Sequence, residues 1–208
     1  MNRFRDIHEE RLTHRLEAFS DIVMGFSLAQ MSLNFVIPNR AAEVYTNPTQ
    51  LIAFAFTFLL VSLTWYAHHR LFDYFFVPRT DTITLNFVTL ALVVWLVYQL
   101  QIYARFATTS DHTFAATSYI VTFAIVWTLL AVLYARCARI LWPELRLDDR
   151  RGAVMSIGRI GCIGAGTLVA VAVLLLLHLP VEISFWLIPV WATLWRLSAP
   201  RALARIEA

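Results

Sequence analysis

The chain has 208 residues, 59% of them hydrophobic and 15% charged, with a mean hydropathy of +0.64 and a formal net charge of +3. That balance excludes an ordinary soluble domain, and apolar runs near the ~20 residues needed to cross a bilayer imply an integral membrane protein. All seventeen basic residues are Arg; they sit at helix ends and in short loops, which speaks for membrane orientation and against a nucleic-acid partner.

In chain order, segment 1–12 carries mixed charge and reads as an interfacial helix or short tail leading into a first span at 15–37, which Pro38 and Asn39 end. A flank charged with both signs, and Asp21 and Gln30 in the core, argue against a cleaved signal peptide. Asn47, Pro48 and Gln50 fit the N-cap, N1 and N3 positions of a second span, 48–76. The turn 78–81 supplies the N-cap of a third span, 82–103, and Ser110-Asp111 caps a fourth, 113–140, stopped by Trp142-Pro143. Segment 144–151 is charged and reads as a cytoplasmic loop. A fifth span covers 153–179, and a sixth covers 181–198, where Pro189 predicts a kink. With both ends inside, only Arg40 and Arg105 of the seventeen Arg fall outside, as the positive-inside rule requires. No internal repeat is visible, so 1–208 is expected to be one all-α domain of six transmembrane helices.

The first span carries the most informative pattern. At 100° per residue, Arg15, Phe19, Ile22, Phe26, Ala29, Gln30 and Leu33 fall within about 60° of one line, the stripe expected to face a shared axis. Asp21, about 120° from Arg15, is read with Gly25, Leu28 and Ser32 as the stripe facing the subunit's own bundle. Gln30 argues against lipid exposure of the first stripe, because an amide at mid-bilayer needs a partner helix or water.

The spacing Arg15-x-x-x-Phe19-Ser20-Asp21 at the start of a first membrane helix resembles the signature of the transmembrane protein 175 family, potassium channels of lysosomes and prokaryotes. The run 65–72, with Trp65, His68 and His69, followed by Asp81 and by Asn86, resembles that family's second motif. The resemblance covers roughly the first half of the chain. It implies an oligomer, a tetramer, around a central pore lined by the first helix: Phe26 stands at the narrowest ring, Ile22, Ala29, Gln30 and Leu33 line the path, and potassium or another monovalent cation passes. It also implies a prokaryotic cell membrane with both termini cytoplasmic. Selectivity would come from dehydration at the apolar ring together with polar layers at Gln30 and Ser27.

Other constellations carry less. An ionised Asp21 near the inner leaflet needs donors, and His68 or His69, Trp65 and Asn86 lie at matching depth. Adjacent histidines point about 100° apart, so one is expected to join this network and the other to face water. Ser20, Asp21 and the histidine pair lack the turn and oxyanion loop of a hydrolase, so no enzyme is expected. His8, Glu10 and His14 read as interfacial decoration, Cys137 and Cys162 as packing thiols, and the glycines from 158 to 166 as a helix-packing surface, not a phosphate loop; no metal or cofactor is expected. Two rival functions keep the membrane fold: a nonconducting scaffold or binding protein, and a secondary transporter, which would require inverted repeats and broken helices at the midplane.

Overall fold

The computed structural model describes residues 3–33, 40 and 49–207, and the described chain is helical throughout. The helices are α1 (Arg3–Leu33), α2 (Thr49–Tyr74), α3 (Thr80–Phe106), α4 (His112–Leu141), α5 (Leu147–Leu176), a short α6 (Ile183–Trp186) and α7 (Ile188–Glu207). Among the described residues, α3, α4 and α5 are each long and apolar enough to cross a membrane. The expected caps at Asn47 and Pro48, and the end of the first span at Pro38 and Asn39, lie outside the described residues.

The element boundaries correct the sequence reading in several places. Segment 1–12 runs into the first span without a break, as expected, from Arg3 on: α1 is continuous over Arg3–Leu33. Helix α3 starts two residues early because Thr82, as its third residue, reaches back: its Oγ1 accepts from the Arg79 backbone N–H at 3.0 Å and donates to the Val77 carbonyl. Asp111 does occupy the N-cap of α4, but without a side-chain cap bond. Most of the presumed loop 144–151 is helical, since α5 begins at Leu147 with Asp148 and Asp149 in its first turn, where carboxylates oppose the positive end of the helix dipole. The same helix stops at Leu176 instead of residue 179. His178 takes a left-handed φ of 54°, its N–H bonds the Leu175 carbonyl, and the Leu179 N–H bonds that of Leu174, the paired bonds of a Schellman stop usually built on Gly. Pro189 does not kink a helix interior. The chain breaks at Leu187, and Pro189 falls in the first turn of α7, where its missing N–H costs nothing.

Helix α4 is the centre of the subunit, flanked by α3 and α5 and buried on nearly every turn. Three hydrogen bonds tie it to α2 at successive depths: Thr57 Oγ1 with Tyr119 Oη at 2.7 Å, Trp127 Nε1 to Thr64 Oγ1 at 3.0 Å, and Tyr134 Oη to the Ala67 carbonyl at 2.7 Å. Many hydroxyls elsewhere in the helices bond carbonyls one turn back, as Ser27 to Val23 and Thr167 to Ile163 do, so these cost little in an apolar interior. On α5, a Cβ added to Gly164 would lie 2.6 Å from the Thr128 backbone nitrogen of α4, and one added to Gly158 would meet the Trp195 ring of α7. The glycines are therefore there to let helices approach.

Candidate functional site

Two faces of α1 organise the site. Leu16, Ser20, Met24, Ser27 and Met31 are buried against α2 and α3, a stripe centred about 140° round the helix from Arg15. The opposite stripe is open: Arg15, Phe19, Ile22, Phe26, Ala29 and Gln30 are all exposed on the subunit, Phe26 at 74% and Ile22 at 61%. The Leu33 and Ser32 side chains lie outside the described residues. The bundle-facing stripe differs from the expected one. Asp21 and Leu28 flank it half-buried, and Gly25 is exposed. The reason is chemical: serine hydroxyls can be buried because the helix's own carbonyls satisfy them, whereas a carboxylate sits better at the flank, where a donor and water both reach it. Ser27, buried and bonded to Val23, is turned away from the open stripe and contributes no polar layer there.

Behind the open stripe, the motif residues meet in one network. Trp65 Nε1 donates to Asp21 Oδ1 at 2.8 Å. His68, 1% exposed, donates from Nε2 to Asn86 Oδ1 at 2.6 Å, and Asn86 Nδ2 donates to Ser20 Oγ at 3.3 Å. Ser20 in turn donates to the Leu16 carbonyl at 2.8 Å. Because the amide oxygen can only accept, the chain of donors runs in one direction, from α2 through α3 to α1. Thus α2 reaches Asp21 directly, while α3 reaches Ser20 and not Asp21. Phe19 packs edge-on against Phe87 with centroids 5.7 Å apart, a second link from α1 to α3. Every member is therefore positioned by helix packing, and the net effect is to fix the rotation of α1.

His68 and His69 diverge: His69 lies half-buried, stacked on Trp65 with ring centroids 5.5 Å apart, and faces Glu17 and Asp73. These two carboxylates were missed in the sequence. The available signal was Asp73 four residues after His69 on one helix face, but the partner Glu17 comes from another helix.

Residues 15–97 match the family model described as endosomal/lysosomal potassium channel TMEM175. A curated relative, a potassium channel of Marivirga tractuosa, is 30% identical over 92 residues, 44% of this chain and 37% of its own length, so the match spans little more than a third of that relative. Two solved structures share the fold. One is the potassium channel MtTMEM175, solved as a variant with a nanobody–MBP fusion protein, with TM-score 0.64 and 17% identity over 90% of this chain and 92% of that one. The other is a lysosomal potassium-selective channel TMEM175 homolog from Chamaesiphon minutus, with TM-score 0.62 and 22% identity over 91% and 98%. The chain thus resembles these channels in sequence over its first half and in fold over nine-tenths of its length.

Proposed function

We propose that the chain belongs to the TMEM175 family and is one subunit of a passive cation channel that conducts potassium. In this reading it is a multi-pass protein of a prokaryotic cell membrane, with six crossings and both termini cytoplasmic. The observation that carries the proposal is the open stripe on α1. A row of large apolar side chains, exposed on the subunit and backed by a buried polar network that fixes its rotation, fits a wall completed by further copies. Four copies would bring four Phe26 rings together near mid-membrane. Dewetting at such an apolar ring blocks ions until it widens, and Gln30, one turn further on, supplies the polar layer beyond it. The motifs within residues 15–97 support the assignment.

Purified protein in liposomes, loaded with a potassium gradient and read by an ion-flux dye, tests conduction; mass measurement in nanodiscs tests assembly. Flux from a tetramer is expected. A monomer at concentrations where flux persists removes the shared pore. The bulk of Phe26 favours one second reading, a nonconducting scaffold of the same fold, in which neither the parent nor Phe26→Ala passes ions although both assemble.

A further inference from the structure

At the inner end of α1 and α2, three side chains outside the network converge. Glu17 Oε1 lies 3.2 Å from His69 Nδ1, and Asp73 Oδ2 lies 3.4 Å from His69 Nε2. One ligand atom from each residue falls within 4.8 Å of the other two. His69 and Asp73 are one turn apart on α2, the spacing that sets two ligands on one helix face, while Glu17 comes from α1. Glu17 Oε2 is also 3.6 Å from His14 Nδ1, one turn nearer the start of α1.

The approach of His69 to Glu17 is not a hydrogen bond. His69 Nδ1 is buried and makes none, although a carboxylate oxygen stands 3.2 Å away. Atoms bound tetrahedrally at 2.0–2.2 Å from one ion stand about 3.3–3.6 Å apart, so three ligand atoms within 4.8 Å of one another close on an ion by moving about 1 Å, with Glu17 and Asp73, which face different nitrogens of the ring, meeting on one of them. Stacking on Trp65, 9° from parallel, holds the imidazole plane. Two carboxylates and a neutral imidazole balance a dication, and the nitrogen ligand selects a borderline transition metal over Mg²⁺, which prefers an all-oxygen octahedron.

We propose that Glu17, His69 and Asp73 bind a transition-metal dication of the Zn²⁺ type, and that the bound ion clamps the inner end of α1 to α2. The site differs from the His8, Glu10 and His14 grouping weighed in the sequence, because its ligands come from two helices.

The test is calorimetric titration of ZnCl₂ into the purified full-length chain in detergent at neutral pH, with MgCl₂ as the comparison. One Zn²⁺ per subunit is expected, with no saturable Mg²⁺ binding. Glu17→Gln and Asp73→Asn should each weaken Zn²⁺ binding at least tenfold while eluting like the parent in size exclusion; Asp73 is 41% exposed, so its isosteric change leaves packing intact. Absence of saturable Zn²⁺ binding by the parent overturns the proposal, and the cluster is then a proton-sharing ion pair. Less than tenfold weakening in either variant also overturns it, by placing the ion on the remaining surface histidines.

Discussion

Asn86→Ala probes the junction between the three helices that hold the motif residues. Asn86 is fully buried and is the acceptor for His68 Nε2–H. Its removal leaves that donor buried without a partner, which costs about 1–3 kcal/mol. The bond to Ser20 adds little, because 3.3 Å is long for an N–H donor and Ser20 keeps its own bond to Leu16. A loss of about 2–3 kcal/mol is therefore expected, against under ~1 kcal/mol for Ser20→Ala. A double-mutant cycle with His68→Ala isolates the contact. Polar pairs between membrane helices couple by ~0.6 kcal/mol on average and ~1.7 at most, because the reference state in the membrane also finds partners. The short, fully buried His68–Asn86 bond should stand at the upper end, near 1–1.5 kcal/mol. Reversible denaturant unfolding in mixed micelles, followed by circular dichroism, reads all four corners of the cycle. Additive effects, with coupling below ~0.3 kcal/mol, would refute the network as an energetic unit.

Phe26→Ala and Phe26→Asn should both raise cation flux per folded protein, the second with weaker selectivity; at 74% exposure the ring leaves no cavity in its own bundle, so subunit stability should change by less than ~1 kcal/mol, and unchanged or lower flux in both variants sinks the gate. Gly164→Ala forces a methyl against the α4 backbone and should cost about 1–3 kcal/mol. Gly152→Ala, whose added Cβ meets nothing within 4 Å, should stabilise α5 by ~0.5–1 kcal/mol; melting temperatures that move the same way in both would contradict the packing account. Arg136 Nε and Asp81 Oδ2 stand 2.6 Å apart but both side chains are more than 40% exposed, so Arg136→Ala should cost no more than ~1 kcal/mol and less at high salt, as unfolding at two salt concentrations will check.

Helix arithmetic was legible in the sequence, because α-helical angles follow from spacing alone, and so were the long apolar runs of α3, α4 and α5. The open face of α1 was readable for that reason: Arg15 to Gln30 lie on one line whatever surrounds them. The buried face was not. Asp21 was given the bundle for its polarity, but Met24 and the self-satisfied Ser20 and Ser27 hold it. Charge likewise hid the start of α5, since Asp148, Asp149, Arg150 and Arg151 read as loop when they are the interfacial turns of a helix. The partners of the motif residues divide in the same way. Trp65, His68 and Asn86 could be matched by depth, whereas the Glu17–His69 approach depends on how α1 and α2 lie against each other, which no spacing within one helix encodes. The stop at His178 was hidden because a histidine there takes the conformation usually reserved for glycine.

The unbroken run of α1 from Arg3 gives it a mechanical property. Its 31 residues measure about 46 Å, while the apolar core of a bilayer is only ~30 Å thick, so in the proposed channel, where α1 crosses the membrane, some ten residues would project beyond it as a stiff arm. Asp21, tethered to Trp65, is a fulcrum along its length. From there it is about 27 Å back to Arg3 and about 7.5 Å forward to Phe26 at 1.5 Å per residue. A rigid tilt about Asp21 therefore divides motion by between three and four: a push of about 4 Å at the projecting end displaces each Phe26 by about 1 Å. In the proposed channel, whatever grips the first turns of this helix would work the Phe26 ring through a reducing lever, trading travel for force.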